Sequence, residues 1–549
     1  MELISQHTKK IMEGCKRRAR DEGLSFQDES LEYIVTNRDL IELSPKVMIP
    51  TLYDYWVHDV KVLSEKGQYE LYPSNPYETV INTRPAISFY NDNNPDWLNV
   101  MIFYHVIAHI DFFQNNHFFK HTWDDDFAGQ ALSDKRLIAS YRSKYGRWVD
   151  YIIEFSRGVD NLVGYYDCLS NLNFSKKLNP SDMVNYYFDV FLQKISKVPI
   201  TEYMKEIESL NSYVKKDPKN GEVNFFSDLK KKIPEFDALY EKHVKSKKLH
   251  KQDLMLFIME NSMFLNMEKN KWMKEVISVV RSTSLYFQPQ IRTKILNEGW
   301  ASYWHETLFM QDDRIKGHEV DFARVNANVT SMPRVGLNPY ALGMRLFYYI
   351  EDKAEKGKFT YDFLKLKNAE KRKKYDKKTG KGRDYIFEIR ENFSDTMFIS
   401  SFLDQEFVNK NRLFVSGKRM HKKRNVWQYY VKSRDGYEYQ KMVQNSLYHP
   451  PSVSVDLDKT DKDTLYINHL FEDKPLVAEY IPNTLIGIEY LWGGKVSLET
   501  SELTPKKHVQ RQGYMFGPPV TEEIEPKNKW RRVLYTMEDK KIKKEILKA

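Results

Sequence analysis

His105-Val106-Ile107-Ala108-His109, running on into Asp111-Phe112-Phe113-Gln114-Asn115-Asn116, is one of two stretches on which the reading of this chain turns. The other is Asn297-Glu298-Gly299-Trp300-Ala301-Ser302-Tyr303-Trp304-His305. His105 and His109 are four residues apart, so on a helix they share a face and converge. Glu298 and His305 are seven apart, two helical turns, and also share a face. Two helices presenting these side chains to each other would form a divalent-metal site. The expected ligands are His105, His109 and Glu298, with His305 as an optional fourth. Imidazole nitrogen with carboxylate oxygen suits zinc first. Gly299 and Ala301 are small enough for another helix to approach closely, and Phe112, Phe113 and Trp304 would supply dry walls.

Taken alone, His-x-x-x-His more often marks buried, hydrogen-bonded histidines than a metal. One position also argues against peptidase chemistry. Peptidases of the His-Glu-x-x-His type use the Glu after the first His as general base. Here that residue is Val106, which accepts no proton. The candidate proton-handling residues are therefore His305, Asp111 and Glu78, with Glu306 a further acceptor. Asp111 could orient an imidazole, although its helical angle points away from the histidine face. A ferritin-like di-iron centre would need Glu-x-x-His pairs, which the Glu298 to His305 spacing does not give.

Composition sets the bounds. The chain has 549 residues, 41% of them hydrophobic and 14% aromatic. That is enough apolar material for several cores and excludes a disordered chain. No stretch approaches 18 consecutive apolar residues, so no membrane span is expected. The first residues are charged and lack the apolar run of a secretion signal. Cys15 and Cys168 are the only cysteines, so no disulfide framework or zinc ribbon is expected. A reducing cytoplasm is the natural location. Net charge is +9, from 85 basic and 76 acidic residues. Basic runs at 371–383, 418–424 and 539–548 read as solvated loops and a tail. No aromatic-basic motif accompanies them in the linear sequence, so nucleic acid is not expected as a partner.

The fold class read from periodicity is α+β. A large, mainly helical N-terminal domain, with a zincin-like arrangement as one form, covers 1–365 and carries the metal site. Residues 366–385 read as a Lys-rich connector, 386–411 as a helical extension, 412–535 as a small α+β domain and 536–549 as a basic tail. Helical spacing marks 131–157, 183–212 and 250–280, and residues 77–82 look extended. Residues 286–294 read as a turn into the helix bearing Glu298. Pro339 suits the first turn of a helix running to about Lys356. Two short helices follow, at about 395–403 and 405–411. Strands are expected at 427–431, 453–457, 465–467, 476–481 and 495–498.

At these motifs the chain resembles the SpoVR family, named for stage V sporulation protein R. The matching stretches are Tyr77–Asn82, His105–Asn116, Tyr286–Gln290 leading into Asn297–His305, Gly336–Gly343, and Arg390–Asp395. Asp435-Gly436-Tyr437 and the closing strands resemble the family's C-terminal domain, whereas 121–250 match poorly. The resemblance implies a role in spore cortex formation or a broader stress response. It implies as partners a PrkA-type serine protein kinase and a von Willebrand factor A-type protein. The helix at Leu296–Tyr303 is also similar to the Asn-Glu-Gly-Phe-Ala helix that supplies the glutamate ligand in gluzincin aminopeptidases. Two functional readings follow. One is a cytoplasmic, zincin-like metal-dependent hydrolase acting on an amide bond. The other is a non-catalytic regulator or scaffold, which Val106 favours.

Overall fold

The computed structural model describes residues 2–27, 29–36, 78–123, 126–173, 181–196, 198, 200–217, 220–250, 253–421, 426–472, 474–504, 507–511, 520–524 and 530–547. Within them the fold is α+β, with a large helical N-terminal part and a smaller, strand-rich C-terminal part. Two compact units are each built from separated stretches. The first comprises Met1–Asn161, Phe264–Pro450 and Ile486–Leu491; the second comprises Leu162–Met263, Pro451–Leu485 and Trp492–Ala549. Residues 162–263, which periodicity left with the N-terminal helices, thus belong with the C-terminal strands.

The first unit is organised around the helix Asp96–Asn115, in which every residue from Asn99 to Phe113 is buried. A helix apolar on all sides has no solvent face and must be wrapped by its neighbours. Those neighbours include the helices Gln6–Asp21 and Lys294–Phe309. Lys294–Phe309 packs in turn on the helix Pro339–Glu355. Gly299 and Gly343 make that second packing possible. A Cβ on Gly299 would overlap the Cα of Gly343, and one on Gly343 would overlap the Ile295 carbonyl oxygen. The backbones therefore touch, as no larger side chain permits. Asn338 caps the Pro339–Glu355 helix by accepting from the Tyr340 amide at 3.0 Å, and Pro339 occupies the first turn. A four-stranded sheet completes this unit, in the order Glu2–Leu3, Ser30–Val35, Ala86–Asn91, Glu78–Ile81. The middle pair is parallel, with Ser30 opposite Ala86. Of the extended stretch expected at 77–82, Tyr77 lies outside the described residues.

Residues 286–292 are helical, not a turn. The helix Lys271–Arg292 runs through Pro289 and breaks at Thr293. Proline cannot donate to the carbonyl four residues back, here that of Leu285. The His121 ring Nε2 takes that carbonyl instead, at 3.1 Å. Residues 366–385 lie inside the first unit. Lys377 pairs with Asp362 at 2.7 Å and Arg383 Nε donates to Glu351 at 3.0 Å.

The second unit has an aromatic helical cluster, with Tyr187, Phe191, Phe225, Phe226 and Phe236 buried together. Its five-stranded sheet has the order Lys541–Ile546, Trp530–Glu538, Lys495–Leu503, Thr464–Leu470, Ser452–Val455. All pairs are antiparallel except Thr464–Leu470 with Lys495–Leu503, and a parallel pair needs a crossover. The helix Ile481–Trp492 lies in that crossover, with its residues Ile486–Leu491 counted in the first unit. The strand expected at 476–481 is absent. Residues 478–480 turn, and Ile481, Leu485, Ile488 and Leu491 are buried at helical spacing, so the 3.6-residue period overrides the short apolar run. Residues 541–546, read as part of a basic tail, form the edge strand. Asp539 and Lys540 both have positive φ, the geometry of a two-residue hairpin turn. The lysines of that strand blunt the exposed edge.

No described helix is long and apolar enough to cross a membrane.

Candidate functional site

The helices Asp96–Asn115 and Lys294–Phe309 bring His105, His109 and Glu298 together. One ligand atom from each lies within 4.8 Å of the other two. The Glu298 Oε2 is 3.5 Å from His109 Nε2 and 3.9 Å from His105 Nε2. Both imidazoles are buried and meet edge to face, with centroids 4.6 Å apart. Glu298 Oε2 is itself buried and accepts no hydrogen bond. A bare, buried carboxylate oxygen carries a desolvation penalty of a few kcal/mol. Burial accordingly raises the Glu298 carboxyl above its ordinary range, against His109 and a hydrogen bond from Tyr340. Burial first, then His109 and His305, holds His105 well below the usual imidazole value.

The surrounding hydrogen bonds fix which ring nitrogens carry protons. Asn326 Nδ2 donates to Glu306 Oε2 at 2.6 Å, so Asn326 Oδ1 faces His305 Nε2 at 2.9 Å and must receive a proton from it. Burial lowers His305 to about 4, so near neutrality it carries one proton only. Its Nδ1 is then a lone pair, 2.8 Å from His105 Nδ1, which must donate. This leaves the His105 Nε2 lone pair on the Glu298 side. His109 Nδ1 faces Asn297 Oδ1 at 2.9 Å, an acceptor for a ring proton, and its Nε2 is turned to Glu298. Both imidazoles thus turn Nε2 to the carboxylate with Nδ1 held by a hydrogen-bond partner, the arrangement a ligated metal asks of its outer partners. The outer end of the network opens on a cleft lined by Glu306, Asn326, Glu319 and Arg345.

Other expected residues take different places. His305 stands behind His105, with one nitrogen on His105 and the other on Asn326, so neither faces Glu298 Oε2 as a fourth ligand would. Asp111 accepts from Trp300 Nε1 at 2.9 Å and from the Ser25 amide at 2.8 Å, with Arg390 at 3.6 Å. It ties the two motif helices together rather than facing the histidine pair. Glu78 opens its strand, and its side chain lies outside the described residues. Linear reading gave no role to four residues. Asn297 and Asn326 set the tautomers. Tyr340 bonds Glu298 and stacks along His105, with centroids 6.0 Å apart. Asp395, itself buried, accepts the Ile295 and Leu296 amides at 2.9 and 2.8 Å, capping the helix that bears Glu298. Asn297 stood in a quoted motif, and Tyr340 and Asp395 in stretches that carry the family resemblance, but only the fold brings Tyr340, Asp395 and Asn326 to the histidine pair.

A family model described as SpoVR like protein matches residues 2–450. The chain belongs to the SpoVR-like family. The match spans every residue of the site, from His105 to Asp395, and residues 451–549 lie beyond it. This SpoVR-like chain is similar to the uncharacterized protein YcgB of Escherichia coli (strain K12). The two are 23% identical over 501 residues, covering 85% of this chain and 86% of that one. No solved structure matches.

Proposed function

We propose that this SpoVR-like protein holds one divalent metal, zinc first, on His105 Nε2, His109 Nε2 and Glu298 Oε2, and acts as a metal-dependent hydrolase on an amide bond. The observation that carries the reading is the convergence of two imidazole nitrogens on a buried carboxylate oxygen that has no hydrogen bond. Two nitrogens and one oxygen are the protein ligands of many catalytic zinc sites, which keep a further position for water or substrate. A metal bound there would polarise a carbonyl and acidify water. The chain's own contribution is to hold both imidazoles in one tautomer, to exclude solvent with Tyr340 and Phe113, and to fix Glu298 at a capped helix start.

Val106 favours a second reading, a regulator or scaffold in which the metal is structural. The near-complete burial of His105 agrees with it. The PrkA-type kinase, the von Willebrand factor A-type partner and a role in the spore cortex or stress response follow from family resemblance alone, and fit either reading.

The test is the metal content of the purified full chain by plasma mass spectrometry, beside folded His109→Ala and Glu298→Gln variants. Near-stoichiometric metal in the wild type, lost in both variants, is expected. A wild type still metal-free after incubation with zinc, manganese or iron would overturn both the hydrolase and the structural-metal readings. With metal established, turnover of amide substrates separates those two.

A further inference from the structure

Between Glu406 and Asp435 the sequence holds nine Lys and Arg residues and no Asp or Glu. The strands Val415–His421 and Val426–Ser433 pair antiparallel within this stretch, as a two-stranded sheet with no third strand among the described residues. A two-stranded ribbon ordinarily gains its stability by burying one face. This one leaves large side chains in solvent on both faces. Trp427 is 53% exposed, Tyr429 55% and Tyr430 43%.

The register sorts these side chains. Lys418 is opposite Tyr429 and Met420 opposite Trp427, so one face carries Trp427, Tyr429 and Lys418. The other carries Tyr430, lying over Gly417, together with Arg419. Lys418 Nζ is 4.3 Å from the Trp427 ring centre, and Arg419 is 5.4 Å from that of Tyr430. Trp427 and Tyr429 are two residues apart on one strand, roughly 7 Å, the step of an extended nucleotide chain. Pairing across the ribbon thus creates the aromatic-basic surface that the linear sequence does not display.

We infer that this ribbon binds single-stranded nucleic acid, with bases stacking on Trp427 and Tyr429, phosphates running past Lys418 on the same face, and Arg419 on the other face adding to the positive field. Rings beside cations, with no carboxylate on the ribbon, match the recognition of single strands by stacking and backbone neutralisation. The core of a protein–protein interface favours Trp, Tyr and Arg too but is depleted of Lys, and nine cations with no carboxylate between Glu406 and Asp435 favour a polyanion over a protein partner. A membrane-surface segment is an amphipathic helix with its cations on one face and its apolar residues on the other, whereas each face of this ribbon carries both rings and cations. The inference does not depend on the metal site.

The test is fluorescence anisotropy of the full chain with labelled twelve-nucleotide oligo(rU) and oligo(dT) across a salt series. Binding of either is expected, weakening with salt by a logarithmic slope of about 0.7 per phosphate contact. The preferred sugar identifies the natural class. Trp427→Ala and Tyr429→Ala should each weaken binding about tenfold at an unchanged slope. Lys418→Gln with Arg419→Gln should make the slope shallower. Hydrogen exchange of the wild type with the better oligonucleotide, which needs no variant, should protect residues 426–431. Three outcomes would each overturn the inference: neither strand binds at low salt; all four substitutions leave binding at the wild-type level; or anionic phosphatidylserine vesicles bind through Trp427 while oligonucleotides do not.

Discussion

His305 Nδ1 lies 2.8 Å from His105 Nδ1, so one of two buried imidazoles must donate to the other. The direction of that donation is settled at a distance, by the Glu306 carboxylate acting through Asn326. A carboxylate outside the proposed ligand set, together with the Ala301 carbonyl that also accepts from His105, therefore favours the tautomer that turns Nε2 to Glu298.

Breaking that control should weaken the proposed metal binding without removing a proposed ligand. Asn326→Leu deprives His305 of its acceptor, and Asn297→Ala does the same to His109. Each is expected to lower zinc affinity about 10- to 100-fold, read by competition with a chromogenic chelator. Wild-type affinity in both variants would show that the outer hydrogen bonds are incidental.

Gly299→Ala should be among the most destabilising single-methyl additions in the chain. The added carbon meets the backbone of Gly343, which no side-chain rotation relieves. The expected loss is about 1–3 kcal/mol, measured as a shift in the urea midpoint. Gly343→Ala should behave alike. Because the two sites touch, the double variant should lose less than the two single losses combined.

Asp395→Ala removes the acceptor of two buried amides at the start of the helix bearing Glu298. The cost is expected at about 1–3 kcal/mol, with faster hydrogen exchange at Ile295 and Leu296. Unchanged exchange there would argue that another group caps the helix.

A limb of acid sensitivity should trace to Asp312. Burial pushes its carboxyl up, but the Arg314 guanidinium and the Tyr104 hydroxyl outweigh it and hold the group at about 2 against an ordinary 3.8. The unfolded chain therefore binds the proton more readily. The resulting stabilisation, about 2 kcal/mol, is complete above pH 4 to 5 and is lost as pH falls through the folded value. Asp312→Asn should be less stable than wild type at pH 6, with the difference shrinking towards pH 2. A gap of constant size in thermal midpoint across that range would rule the carboxylate out.

The residues of the site were legible where a helix writes its geometry into spacing. His105 and His109 declare a shared face, and Glu298 stands in a motif whose small neighbour does let another helix touch. The residues that tune the site were not legible. Asn326, Tyr340 and Asp395 come from other helices, and a hydrogen bond between distant positions leaves no periodic trace. His305 shared a face with Glu298, but two turns along it lies behind His105 instead of beside Glu298. In the fold, long periodic helices and strongly alternating strands were readable. Errors came where local signals compete. Pro289 looked like a break because the carbonyl it leaves open is satisfied by His121, far away in sequence. Lysines at 541–546 looked like a solvated tail because an edge strand and a tail both place charge in water.

The second unit is closed by strands at 530–538 and 541–546, yet its helices begin near residue 166. During synthesis those helices emerge long before their strands exist. The aromatic surfaces of Tyr187, Phe225 and Phe236 can therefore meet before the strands at 530–546 are made, and the five-stranded sheet cannot. The threading of the chain thus staggers the two units: the first has most of its sequence by Pro450, and the second lacks two of its five strands until the hairpin at 530–546 is made.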